Sequence, residues 1–264
     1  MRTISALPRA VAALAIAALV AASPAAVAAP AECKASSGSL STPLVELYTS
    51  EGCDSCPPAD RWLSEAFPRV VASGKPIALA FHVDYWDRLG WVDRFASPRW
   101  TERQYDGVRA HKDAFAYTPQ VLLQGSDFRW NRGNAQTALD EASRRPARAT
   151  VELVAVVDGA SVRASANARV ADAALQKSTA IVIAYTDSGL VSDVKAGENR
   201  GVRLTHDHVV RSLASGREGA AQAAAAFARP AEPGVSPTLV AFVENTATHD
   251  VLQAVALPLS ACSP

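Results

Sequence analysis

The sequence predicts an α/β fold that gives way near residue 149 to a β-rich, sandwich-like module. Three observations carry this. Short apolar runs alternate with helix-spaced stripes between residues 44 and 144. A Cys-x-x-Cys pair sits where the first run turns into the first helix. Beyond residue 150, strand-like runs dominate. Strand–helix alternation marks α/β structure, and closely spaced strand runs mark an all-β unit.

Residues 44–49 (Leu-Val-Glu-Leu-Tyr-Thr) read as a strand, and Ser50-Glu51-Gly52 as its exit turn. Pro57 opens a helix, because proline lacks an N–H that the first helical turn would leave unpaired. Trp62, Leu63, Ala66 and Phe67 give that helix an apolar stripe. Residues 77–83 form a second strand, which leaves through His82, Asp84, Tyr85 and Trp86. An aromatic-rich insertion over about 85–111 follows, with a helix capped at Ser97-Pro98. Residues 120–123 are a third strand and 134–144 a helix. The second half reads as strands at 150–157, 161–166, 180–185, 239–244 and 251–257, with one Ala-rich helix at 219–228.

Lys plus Arg equals Asp plus Glu at 26 each. That balance gives no pull toward nucleic acid or an anionic membrane. Arg2 and Arg9 flank a short apolar core at 10–20, and Ala26-Val27-Ala28 fits small-residue cleavage, so residues 1–28 read as a signal peptide. The core is shorter than the roughly 20 residues a membrane span needs. The mature chain, from residue 29, is therefore expected in the periplasm or secreted, not membrane-embedded, where disulfides persist.

Cys33, Cys53, Cys56 and Cys262 are the only cysteines. Four cysteines allow three pairings; the simplest is Cys53–Cys56 with Cys33–Cys262 as a structural disulfide. The Cys53/Cys56 pair admits three chemistries. As a redox pair, one thiolate attacks a disulfide and the other resolves the intermediate, helped by the amides of a helix mouth. Cys53 is then the exposed nucleophile and Cys56 the resolving thiol, with a protein or small-thiol disulfide as substrate and an unidentified redox partner. As a metal site, two thiolates fall short of the usual four ligands, and a metallochaperone would recruit His82. As a staple, the pair would leave the rest of the chain as a binding module. Pro57 replaces the His of a haem-attachment motif. No cofactor or metal is expected. His206-Asp207-His208 is compatible with metal but reads as strand or turn.

Thr118-Pro119 before a strand matches the cis-proline that faces the cysteine pair in thioredoxin-like folds, so the 29–148 half is expected to be a thioredoxin-like domain, a central mixed sheet flanked by helices, with 149–264 a separate module. Glu46 stands near the buried acid through which thioredoxins relay protons to the resolving cysteine. His82, Asp84, Tyr85 and Trp86 leave their strand at the edge where ligands bind in parallel sheets, which makes them candidates for contacting substrate.

The segments 46–60, 81–87, Tyr117-Thr118-Pro119-Gln120, Gly197-Glu198-Asn199-Arg200-Gly201 and Leu204-Thr205-His206-Asp207 resemble the exported bacterial family known as domain of unknown function 1223. The resemblance spans nearly all of the mature chain. It implies export and a thioredoxin-like fold, and no particular substrate.

Overall fold

A computed structural model describes residues 31–69, 74–230 and 232–262; the signal-peptide segment lies outside them. The strands are β1 (Ala31–Ser36), β2 (Leu44–Thr49), β3 (Ile77–His82), β4 (Gln120–Leu123), β5 (Ser126–Asp127), β6 (Ala149–Asp158), β7 (Ser161–Val170), β8 (Thr179–Ser188), β9 (Leu190–Asp193), β10 (Arg203–His206), β11 (Val209–Ser215), β12 (Gln222–Ala228), β13 (Ser236–Asn245) and β14 (Val251–Pro258). The helices are α1 (Pro57–Ala66), α2 (Pro98–His111), α3 (Ala135–Ser143) and the single turn α4 (Ala173–Gln176).

One mixed sheet of eight strands, in the order β14-β13-β8-β11-β3-β2-β4-β5, runs through the molecule. Parallel pairing occurs only at β2–β3 and β3–β11 within it. A second, antiparallel sheet, β1-β6-β7-β12, covers one face of the β8–β13–β14 end. Between the two sheets lies an apolar core of residues such as Leu153, Val162, Ile183, Phe227, Ala241 and Leu257. At the other end Val45, Leu47, Ala78 and Ala80 pack on α1 and α3 through Leu63, Phe67 and Leu139. The opposite face, with Leu44, Tyr48, Leu79 and Phe81, meets Trp100 of α2. Alternation along each strand thus sends Val45 and Leu47 one way and Leu44, Glu46 and Tyr48 the other.

This architecture corrects the predicted fold class. The protein is predominantly β, with fourteen strands and four helices among the described residues, and it is not a thioredoxin-like α/β domain followed by a separate sandwich module. Strands β8, β11, β13 and β14 extend the very sheet that β2, β3 and β4 begin. Their apolar runs are buried on both faces, as in β8 and most of β13, so they read as core strands without revealing whose sheet they join. The Ala-rich 219–228 segment is also corrected: it ends in strand β12, whose residues pair with β7 from Gln222↔Asn167 to Ala228↔Ser161. Alanine's helix propensity is a weak prior that strand pairing overrides. The Ser97 side chain caps α2, as its sequence indicates.

Cys33 and Cys262 are disulfide-bonded across a separation of 229 residues. The bond ties edge strand β1 to the chain's last turn, both against the inter-sheet core. Replacing both cysteines by serine should lower unfolding free energy in urea by about 4–5 kcal/mol, the loop-closure value for so long a loop; an unchanged urea midpoint would contradict it.

Candidate functional site

The parallel register of β2 and β3 aligns Thr49 with His82. The two strand exits, 50–56 and 83–87, therefore leave the same sheet edge side by side. Gly52 lets Trp86 pack closely on the turn: a Cβ there would lie 3.0 Å from the Trp86 Cβ, and the tryptophan would have to shift to admit it. Cys53 and Cys56 form a disulfide with Cα atoms 5.4 Å apart. Cys56 is the N-cap of α1, and its carbonyl accepts the N–H groups of Ala59 and Asp60. The expected exposure of Cys53 is corrected: Cys53 and Cys56 are both 0% exposed.

Three groups close over the pair. The Thr118 hydroxyl lies 3.4 Å from the Cys53 sulfur and accepts a 2.8 Å bond from the Trp86 indole N–H. The Thr118–Pro119 bond is cis. Gln104 of α2 steadies this loop by donating to the Tyr117 carbonyl and to the Gln120 side chain. The Ser55 hydroxyl sits 3.4 Å from the Cys53 sulfur on the other side. From a distant loop, Asn199 donates 2.9 Å bonds to the carbonyls of both Glu51 and Cys53, and Glu198 accepts the Asp54 N–H.

Beneath the pair lies a buried group of ionisable side chains: Glu51, Asp60, His82, Asp93 and His206. His82 Nδ1 is 2.7 Å from Asp93 Oδ2, and His206 Nε2 is 3.2 Å from Glu51 Oε1. The two imidazole rings meet edge to face, 4.9 Å apart. The Trp91 indole N–H donates to Glu51, and Asp93 accepts the backbone N–H groups of Glu51 and Phe95. Burial alone would push the Asp93 carboxyl up, but the His82 charge and these amides hold it at about 2. Burial likewise opposes charge on His82, and the Asp93 carboxylate outweighs it, raising the imidazole above its ordinary value. Asp60 is raised by burial, with His206 and His82 pulling against it.

The sequence-derived site residues divide accordingly. Cys53, Cys56, Thr118, Pro119 and Trp86 come together, and His82 lies behind them. Asp84 is turned to α2, where it accepts the Thr101 hydroxyl. Tyr85 reaches Gln104, and burial pushes its phenol up to about 12. Glu46 lies on the opposite face of the sheet, bonded at 2.6 Å to Arg103, which also pairs with Glu244. The acid on the cysteine side is Asp60. It stands four residues after Cys56 and three before Leu63, on the buried stripe of α1, and that spacing was the available signal. His206 shares the inward side of β10 with Leu204, readable from alternation alone. Asn199 carries no such local signal. His82 Nδ1 is bonded to Asp93, and among the described residues no cluster of three or more His, Cys, Asp or Glu is arranged to hold an ion.

A family profile described as "Protein of unknown function (DUF1223)" matches residues 44–244. No curated protein matches the chain. A crystal structure of protein AGR_C_4864 from Agrobacterium tumefaciens is similar at 26% identity and TM-score 0.52, over 84% of this chain and 96% of that one. HBP35 of Porphyromonas gingivalis is similar at 14% identity and TM-score 0.61, over 86% of this chain and 78% of that one, a likeness of fold alone.

The His82–Asp93 pair gives stability a defined pH window. His82, with its folded value raised, contributes fully below about 6.5 and loses its contribution as pH rises through the folded value; Asp93, lowered, contributes above about 3.9 and loses it as pH falls toward about 2. The midpoint of thermal unfolding should therefore decline on the alkaline side. His82→Gln should lower stability by roughly 3 kcal/mol near pH 6 and flatten that decline. An equal loss at pH 6 and pH 9 would show that the imidazole acts by packing alone.

Proposed function

The chain belongs to the family described as protein of unknown function (DUF1223), and we propose that it is an exported thiol–disulfide exchange protein reacting through Cys53 and Cys56. The observation that carries this reading is the closed Cys53–Cys56 bond at the first turn of α1, beside the Thr118 hydroxyl and above the buried Asp60, His82 and His206. The dipole of α1 favours a thiolate at its N-terminal end, where Cys56 is the N-cap; Pro57 and Pro58 bring no N–H of their own, so the dipole acts there without amide hydrogen bonds from the first two helical residues. The two disulfides fit an oxidising compartment, and no described helix is long and apolar enough to cross a membrane.

The chemistry runs as follows. A substrate thiolate attacks the Cys53 sulfur. The Cys53–Cys56 bond breaks, a bond from substrate to Cys53 forms, and the electron pair leaves on Cys56. A buried thiolate is costly, so Cys56 takes a proton. Asp60, one turn along the same helix and protonated more readily than an ordinary carboxyl, supplies it and is left as a carboxylate, a charge that the neighbouring His82 and His206 imidazoles favour. A second substrate thiolate then attacks the mixed disulfide and releases Cys53 as a thiolate. The substrate leaves as a disulfide and the protein as a dithiol. Run backwards, the same steps reduce a substrate disulfide and restore the Cys53–Cys56 bond. In this reading Trp86 and the Thr118–Pro119 loop hold the substrate segment against Cys53, a role supported by the Thr118 contacts to Cys53 and Trp86.

Complete burial of both cysteines favours a second reading, a static staple within a binding module. The two differ in what a native thiol can do. In the reduced protein, Cys56→Ala should trap a mixed disulfide through Cys53 with a disulfide-containing peptide, detectable by mass spectrometry, and Asp60→Asn should slow resolution in the otherwise wild-type protein by 10- to 100-fold, the lower range of general acid–base effects. Absence of any adduct in the folded Cys56→Ala protein would support the staple.

A further inference from the structure

We propose that Glu198 and Asn199 form a latch that shuts the oxidised Cys53–Cys56 pair and lets go when the pair is reduced. The proposal rests on the exchange reading above.

The latch is built from a loop far away in sequence. Asn199, itself buried, spends both side-chain N–H groups on the carbonyls of Glu51 and Cys53, at 2.9 Å each. These carbonyls flank the Gly52 turn that presents Cys53. Glu198 takes the N–H of Asp54 at 3.2 Å. The amide it occupies belongs to the turn between the two cysteines, just ahead of α1. With Trp86 packed on Gly52 from the other side, the pair has no exposed surface. A reaction at either sulfur requires one cover to move.

The 198–200 segment is fitted to be that cover. Gly197 and Gly201 bracket it, both with left-handed φ, at 73° and 84°, so each end holds a conformation other residues adopt only with strain. Hinges are commonly a few such positions. The outward side of the loop borders an open surface depression lined by Leu89, Lys195, Ala196, Gly197, Glu198 and Arg200, so the segment has solvent, not packed protein, on that side. The ends of the segment are fixed, Gly201 by its N–H on the Val194 carbonyl and Gly197 against Trp91, which confines movement to residues 198–200; the Trp86–Thr118 cover is braced from behind by α2 through Gln104.

Reduction supplies the trigger. A disulfide sulfur carries no charge. A Cys53 thiolate adds a negative charge next to Asp54, and it competes with Glu198 for the Asp54 N–H. Like charges disfavour one another, and Lys195 and Arg200, on the loop's own outward side, favour the displaced carboxylate. The oxidised protein is thereby kept from non-specific thiols, while a substrate that displaces Asn199 gains entry.

The test compares native reduction of the disulfide by dithiothreitol in wild type, Asn199→Ala and the exposed, fold-tolerant Glu198→Ala, with hydrogen exchange at residues 195–201 in oxidised and reduced wild type. Loss of two buried hydrogen bonds should raise the reduction rate about 10-fold in Asn199→Ala, and loss of one exposed bond two- to three-fold in Glu198→Ala. Exchange over 195–201 should quicken on reduction. A residue that merely supports the fold would not accelerate the reaction while the thermal midpoint of Glu198→Ala stays unchanged. Equal rates in all three proteins would overturn the latch and leave exchange standing. Unchanged protection of 195–201 on reduction would overturn its redox control. Resistance of all three to native reduction would overturn latch and exchange together.

Discussion

The pairing of β2 with β3 is the constraint on which the site depends. Because the strands are parallel and in register, Thr49 beside His82, both chains leave the sheet at one edge. An antiparallel pairing would put the cysteine turn and the His82–Trp86 exit at opposite ends. Everything chemical follows from that placement: Gly52 against Trp86, Glu51 above Asp93, and the helix mouth of α1 opening between them. The rest of the sheet holds this register. Strand β11 joins β3 in parallel on its other side, and β8, β13 and β14 extend the wall that the second sheet then covers.

The buried charges cost the protein desolvation, and their arrangement answers that cost in pairs. Glu51 with His206 and Asp93 with His82 each match an acid to an imidazole. Asp60 has no such partner, and its raised carboxyl reports that. A carboxyl raised by burial holds its proton to higher pH than an ordinary one, which suits it to donate that proton. On the other face of the sheet, Arg103 between Glu46 and Glu244 is a matched arrangement with no opening to the cysteines. Two buried polar groups on either side of one strand therefore serve different ends.

Much of the local structure is legible in the sequence. The ends of β2 and β4, the Pro57 start of α1 and the Ser97 cap follow from turn chemistry and periodicity, and the cysteines pair in the simplest of their three possible ways. What the sequence conceals is non-local. The strand runs after residue 149 announce strands but not their partners, and so suggest a separate sandwich where the chain instead completes one wall. Glu46 looks like the functional acid because it is embedded in an apolar strand, yet alternation sends it to the α2 side; Asp60 looks like an ordinary polar position in a helix, yet lies on its inward stripe. Asn199 meets Cys53 across 146 residues, a contact that no spacing rule encodes.

The proposed exchange chemistry requires Cys53 and Cys56 to be a reversible redox couple in the folded protein. The most direct measurement is the reduction potential of that couple in the folded protein, with Cys33–Cys262 left intact. The account predicts a reversible value between about −120 and −270 mV, the span of exchange catalysts. A value below about −300 mV, or reduction only as the protein unfolds, would contradict it.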